Sequence, residues 1–347
     1  MAPDLSTTYL GLQLSSPLVP SASPLSRNLD TIRRLEDAGA AAIVLHSLFE
    51  EQIEFESHIL DRYLNVSADS SYWEATSYHP EPDDFRLPPE QYLEHLRRAK
   101  AAAGIPIIAS LNGISAGGWI KYARLIEQAG ADALELNVYY LPTDQRLAGA
   151  RIEEAMLDLV RQVRATVSIP LAVKLSPFYS SIAHLAHELD DLGVDGLVLF
   201  NRFNQPDIDL DTLEVVTKPL ISTDGGGEVL RLPLRWIAIL HAQITADLAA
   251  SGGVHTAHDV VKLLLVGANV TMLASALLLH GVGRLHRIET DLLDWLEEHE
   301  YESVAQLRGS MSQRRVPDPA AFERAHYIRT VGTFPLAAPL HVTTPLL

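Results

Sequence analysis

No cysteine occurs in the 347 residues. That absence excludes disulfides, thiolate nucleophiles, cysteine-bound zinc and any iron–sulfur cluster held on the chain's own thiolates. Positive charge is also scarce. With 27 Lys and Arg against 44 Asp and Glu, the net charge is −17, which argues against nucleic acid or an anionic membrane as a partner. No apolar run approaches the roughly 20 residues of a membrane span. Met1-Ala2-Pro3-Asp4-Leu5 has neither the basic region nor the apolar core of a secretion signal, so a cytoplasmic location is expected. The 14 histidines show no HExxH-like or other metal-ligand spacing, and no metal is expected. No nucleophile-elbow motif supports a Ser–His–Asp assembly. What remains, 47% hydrophobic and 20% charged residues, is the composition of an ordinary soluble enzyme, and a small-molecule substrate is the expected partner.

One pattern recurs along the chain. Four helical stretches end in a glycine and run into an apolar strand, at Gly39, Gly130, Gly193 and Gly267. Glycine at such a point supplies the left-handed cap that ends a helix. Between these lie four strands that enter differently, at Ser16-Pro17, Ile105-Pro106, Ile169-Pro170 and Ile244-Thr245. Proline at the start of a strand removes no central ladder bond. Eight apolar runs with helical sequence between them predict a closed array of β/α units. Helices are predicted over 29–38, 90–102, 117–129, 152–166, 180–192, 232–242 and 256–266 from their apolar spacing. The fold class is α/β, a single (β/α)8 TIM barrel over residues 1–288. A long insertion at about 49–89 follows the second strand and is aromatic and Pro/acid-rich (Tyr63, Tyr72, Trp73, Tyr78, Phe85). It is expected over the active-site mouth. A helical extension occupies 289–330 and a tail 331–347.

In such a barrel the chemistry sits at the C-terminal strand ends. Ser251-Gly252-Gly253 and Ala274-Ser275 are small-residue endings one β/α unit apart near the end of the array. Endings of that kind leave backbone N–H groups bare for a phosphate. The other strand ends supply Ser21, Ala22, His46, Ser47, Asn112, Glu135, Asn137, Tyr139, Tyr140, Lys174, Ser176 and Asn201, with Gly226 and Gly227 before the seventh strand. Lys174, at the end of an apolar strand, needs a negative partner there, because a bare buried charge is costly. A salt bridge to Glu135, an electrostatic role in the site and Schiff-base chemistry are all open readings. Asn137 and Asn201 fit either loop-tying or binding, and His46 either a wall or a site.

Taken together, Leu134-Glu135-Leu136-Asn137-Val138, Val173-Lys174-Leu175-Ser176-Pro177-Phe178, Ser251-Gly252-Gly253 and Met272-Leu273-Ala274-Ser275-Ala276 resemble class 1 dihydroorotate dehydrogenases. Ser16-Pro17-Leu18-Val19-Pro20-Ser21-Ala22 and Ile108-Ala109-Ser110-Leu111-Asn112-Gly113 fit the same pattern, so the resemblance runs in order from about residue 5 to about 285. It implies an FMN-dependent barrel, often dimeric, so a homodimer is expected. By resemblance, Gly252, Gly253, Ala274 and Ser275 cradle the FMN phosphate, and Gly226 and Gly227 let the chain pass close to the ribityl chain. Ser21, Ala22 and Ser47 approach the flavin, and Lys174 sits by its N1/O2 edge. Asn137 and Asn201 face both flavin and substrate, with His46 on the substrate side.

The sequence also departs from the family. Where the family places a Cys or Ser base, this chain has Tyr140, with Tyr139 as the alternative. Tyrosine, with an ordinary pKa near 10, is a poor base at neutral pH but a reasonable proton donor. Pro142 falls where the family has asparagine, His46 where one class has lysine, and the loop after strand 2 lacks the family's substrate motif. The expectation is an FMN-dependent oxidoreductase acting on a CH–CH bond next to a carbonyl, with dihydroorotate/orotate, the pyrimidine-biosynthesis pair, as the first substrate to test. Two other readings stand beside it: a flavin-binding electron-relay or regulatory protein without that turnover, and a Schiff-base lyase or aldolase using Lys174. Electrons passed through an iron–sulfur cluster would require a separate partner polypeptide.

Overall fold

The computed structural model describes residues 2–49, 89–113, 116–138, 140–202, 206–216 and 228–323. Eight parallel strands make one sheet: β1 (Leu18–Pro20), β2 (Ile43–Phe49), β3 (Ile107–Gly113), β4 (Ala133–Val138), β5 (Leu171–Leu175), β6 (Gly196–Leu199), β7 (Asp247–Ser251) and β8 (Val270–Leu273). Their order is β1-β8-β7-β6-β5-β4-β3-β2. Across the remaining seam the Ala41 amide donates to the Leu18 carbonyl at 3.0 Å. The sheet is a nearly closed barrel, and with its surrounding helices it is the expected single (β/α)8 fold.

The repeat seen in the sequence has a physical cause at the lower rim. Gly39, Gly130, Gly193 and Gly267 all have positive φ, as helix-ending glycines require. Two residues beyond three of them stands a side chain that clasps the start of the neighbouring strand. Asp132 accepts the Ile107 N–H at 2.6 Å, Asp195 that of Leu171 at 2.8 Å, and Asn269 that of Leu248 at 3.0 Å. Pro17, Pro106 and Pro170 precede β1, β3 and β5, and their carbonyls accept from Thr271, Ile43 and Leu134. No ladder bond is lost to them.

All seven predicted helices form: α1 (Leu29–Asp37), α2 (Pro89–Ala102), α3 (Ala116–Gln128), α4 (Gly149–Arg164), α5 (Ile182–Asp191), α6 (Glu228–Leu240) and α7 (Ala257–Val266). α6 begins ahead of the expected Leu232 and carries Pro233 inside it. Then come α8 (Ser275–His280), α9 (Arg284–Glu298) and α10 (Val304–Leu307). The expected end of the barrel at 288 falls within α9. Beyond α10 the chain is tied to α7, with Gly309 and Met311 amides donating to the Leu264 and Leu265 carbonyls. The N-terminus joins here too, since the Asp4 amide donates to Glu302 and the Val304 amide to Asp4. Residues 50–88, 324–330 and 331–347 of the expected insertion, extension and tail lie outside the described residues. No helix among the described residues is long and apolar enough to cross a membrane.

The barrel interior is filled by small and branched residues, among them Val19, Val44, Ala133, Ala172, Val198 and Ala249. Its lower end is closed by an antiparallel hairpin, Thr7–Tyr9 with Leu12–Leu14, which the eight-unit pattern does not include. Tyr9 and Leu10 enter the inner cluster, and the Leu10 amide donates to Asp247 Oδ2 at 2.8 Å. Gly196 makes room for them, because a Cβ there would lie 2.6 Å from Leu10 Cδ2. With the bottom plugged, chemistry is confined to the C-terminal mouth.

Candidate active site

Strand register sets the polar rows of the mouth. Asn112, Asn137 and Lys174 are in register across β3, β4 and β5, with Ser110, Glu135 and Ala172 in register one row below. Alternation along each strand turns both rows to the same face. Lys174 is 6% exposed and Glu135 0%. Lys174 Nζ donates to Ser21 Oγ at 3.3 Å and to Glu135 Oε1 at 3.4 Å. The salt bridge anticipated for Lys174 is therefore present. Both contacts are longer than the roughly 2.7–2.9 Å of a tight charge-assisted bond, and an ammonium has a third donor to offer. Asn201 Nδ2 donates to Asn137 Oδ1 at 2.8 Å, joining the ends of β4 and β6 beside the lysine strand.

At the β2–β3 edge, Ser47 and Ser110 hydroxyls share a 2.8 Å hydrogen bond. The register slips between Val44 and Ser47. Tyr92 of α2 serves the adjoining backbone: its hydroxyl accepts from the Ser110 amide at 3.0 Å and donates to the Ser110 carbonyl at 3.2 Å. Nothing in the helical pattern of α2 distinguished this tyrosine from a core residue. His46 lies in the slipped stretch. Its amide donates to Ser26 Oγ at 2.7 Å, and its ring packs against Tyr92 and His95, at 5.3 and 5.4 Å between centroids. Burial, then the neighbouring His95 and Arg27, hold its pKa down to about 4. Being neutral when folded and protonated below pH 6.5 when unfolded, it withdraws stability as pH falls from about 6.5 towards 4. His46→Gln is expected to remove on the order of 3 kcal/mol of that loss. Urea unfolding at pH 7.5 and 4.5 measures the difference. An unchanged pH dependence would mean that the ring is not held neutral.

On the opposite side, Ser251 of β7 is in register with Met272 of β8, so Gly252-Gly253 and Ala274-Ser275 emerge side by side. The Ser21 amide donates to the Leu273 carbonyl at 2.8 Å and brings Ser21-Ala22 to the same place. Gly252 and Gly253 have φ of 100° and 78°. A Cβ on Gly253 would lie 2.8 Å from the Leu230 backbone nitrogen at the start of α6. Both requirements demand glycine there. Arg284 fixes the following turn by donating twice to the His255 carbonyl, at 3.1 and 2.8 Å.

Tyr140 is half-buried and lines a cavity of about 680 Å³ between α4 and the ends of β4 and β5. Leu141, Met156, Leu159, Phe178 and Tyr179 form much of its wall. The Tyr179 hydroxyl donates to Met156 Sδ at 3.0 Å, and burial, aided by Glu153, pushes its pKa up to about 12. Tyr139, Gly226 and Gly227 lie outside the described residues. No group of acidic or histidine side chains able to hold a metal occurs among the described residues.

The family model for dihydroorotate dehydrogenase matches residues 89–296, from α2 into α9. The chain belongs to the dihydroorotate dehydrogenase family. It is accordingly an oxidoreductase, a dihydroorotate dehydrogenase-like enzyme. The catalytic subunit of dihydroorotate dehydrogenase B (NAD(+)) from Thermoplasma volcanium is 25% identical over 317 residues, covering 90% of this chain and 99% of that one. Chloroplastic dihydropyrimidine dehydrogenase (NADP(+)) from Arabidopsis thaliana is 24% identical over 335 residues, 90% of this chain and 78% of its own. Dihydroorotate dehydrogenase A (fumarate) from Lactobacillus helveticus is 27% identical over 213 residues, 60% and 68% of the two chains. Among these dehydrogenases the named electron acceptor changes from one to the next.

Proposed function

We propose that the protein is an FMN-dependent oxidoreductase that interconverts CH–CH and C=C bonds next to a carbonyl. The observation that carries this reading is Lys174, a buried ammonium loosely held by Ser21 and Glu135 with a donor left for the mouth. Members of the family are flavoproteins, and the residues present fit FMN. Gly252, Gly253, Ala274 and Ser275 would hold its phosphate, where the two strand endings adjoin and the two glycines carry no side chain of their own. Ser21, Ala22 and Ser47 would bound the ring, and Gly226 and Gly227 would flank the ribityl chain. Bound FMN would supply the two-electron redox chemistry, accepting or returning a hydride at N5.

The chain's own residues would do the rest. Lys174 would place positive charge where the reduced cofactor gathers negative charge. Asn137 and Asn201, already bonded to each other, would present the remaining amide donors and acceptors to a substrate carbonyl. Tyr140 would donate or accept the substrate proton, with Tyr139 as the alternative. Dihydroorotate is the first substrate to test, by mixing it anaerobically with the oxidised protein. Bleaching of the yellow colour supports the reading, and a spectrum that does not change removes dihydroorotate from it. Once a substrate bleaches the flavin, Tyr140→Phe is expected to slow that step at least about 100-fold with FMN still bound. An unchanged rate moves the proton to another residue.

The Glu135 contact favours an ammonium at position 174 over an amine nucleophile, and so favours redox over Schiff-base chemistry. The electron acceptor would be delivered by a second polypeptide, as the words "catalytic subunit" in the name of the Thermoplasma relative suggest. A homodimer and a cytoplasmic location belong to the same reading.

A further inference from the structure

Among the described residues Glu135 is the only buried carboxylate. Other acids that organise this fold take backbone amides: Asp132 that of Ile107, Asp195 that of Leu171, Asp190 those of Thr245 and Ala246. Glu135 takes none. Its Oε1 has Lys174 at 3.4 Å, and its Oε2 has no hydrogen-bond partner. A carboxylate so placed is a cost to folding that no scaffold role repays. Its charge nevertheless reaches its surroundings. Buried Tyr9 and Tyr92, on the hairpin plug and on α2, both have raised hydroxyl pKa values, chiefly from burial and in part from Glu135.

We propose that Glu135 is a positioning residue that acts through Lys174, as the counter-charge that sets how much of the ammonium's field reaches the barrel mouth. The inference rests on the FMN reading above. As a pair, Glu135 and Lys174 carry no net charge and leave a dipole with its positive end towards the mouth. Neutralising the carboxylate leaves an uncompensated positive charge in a site shielded from water, where charge acts at long range. A cofactor that becomes more negative on reduction would then be easier to reduce.

The test is the midpoint potential of bound FMN, read by spectrophotometric titration against a reference dye. In Glu135→Gln the ratio of reduced to oxidised flavin at a fixed potential should rise at least tenfold. In Glu135→Asp, which keeps the charge but draws it back by one methylene, the rise should be two- to threefold. Adding Lys174→Met to Glu135→Gln should abolish the rise. A potential that is unchanged or lower in Glu135→Gln overturns the proposal, and so does an equal effect of Gln and Asp, or a rise that survives loss of Lys174. Should the Gln variant not fold, the absence of any rise in the Asp variant overturns it. Failure of the FMN reading shows separately, as wild-type protein that takes up no flavin. In that event unfolding of the flavin-free variants still decides whether the pair interacts: independent losses from Glu135→Gln and Lys174→Met overturn the coupling.

Discussion

Gly253→Ala is expected to cost the protein its FMN, with affinity falling about 100-fold or more. Two effects act together. At φ of 78° a side chain is strained by on the order of 1–3 kcal/mol. The new Cβ also meets backbone, 2.8 Å from the Leu230 nitrogen, and backbone does not yield as a flexible side chain does. Relief requires the Gly252-Gly253 turn to move away from α6, and the cradle moves with it. Each 1.4 kcal/mol is a factor of ten in binding, so about 3 kcal/mol accounts for the expected loss. Quenching of FMN fluorescence on titration with protein measures it. Gly283→Ala is the control, since Gly283 has open space around it. Equal FMN affinity in the Gly253 variant and the wild type would place the phosphate elsewhere.

Lys174→Met is expected to destabilise the flavin-free protein by about 3–5 kcal/mol, because the Glu135 carboxylate would be left buried and unpaired. The wild-type pair gains little over a neutral core, so the double variant Lys174→Met, Glu135→Gln should recover most of that loss. Denaturant unfolding of the two singles, the double and the wild type closes the cycle. A double variant as unstable as the sum of the singles would mean that the two side chains do not depend on each other. With FMN bound, Lys174→Met should also make the flavin harder to reduce, since the charge opposite the reduced form is gone.

The barrel was legible in the sequence because its repeat is a chain of local physical requirements. A glycine must end each of several helices, and an Asp or Asn two residues later clasps the strand before that helix, as Asp132, Asp195 and Asn269 do. Those signals lie within a few residues of one another. The mouth was legible for a different reason. A polar or charged residue at the end of an apolar strand is costly to bury unless a partner or a ligand meets it, and Lys174 and Asn137 come together there through strand register, with Asn201 joined by its hydrogen bond to Asn137. What stayed hidden depends on distant partners. Tyr92 reads as one more apolar helix position, yet it bonds the Ser110 backbone of β3 in both directions. The Thr7–Leu14 hairpin had a signal in its alternation around Gly11, but its place inside the barrel is set by Asp247 and Gly196, more than 180 residues away. His46 reads as a candidate for the substrate side, and the sequence does not show that its ring packs on Tyr92 and His95 of α2. The lining of the cavity beside Tyr140 likewise comes from α4 and two strand ends together.

The central claim is that the Gly252-Gly253 cradle and Lys174 together make a flavin site. The visible absorption spectrum of the purified protein, before and after equilibration with FMN and removal of the excess, tests it most directly. A retained flavin spectrum, lost in Gly253→Ala and kept in Gly283→Ala, is the predicted result. A protein that stays colourless after equilibration, with its barrel shown to be folded by circular dichroism, would contradict the account.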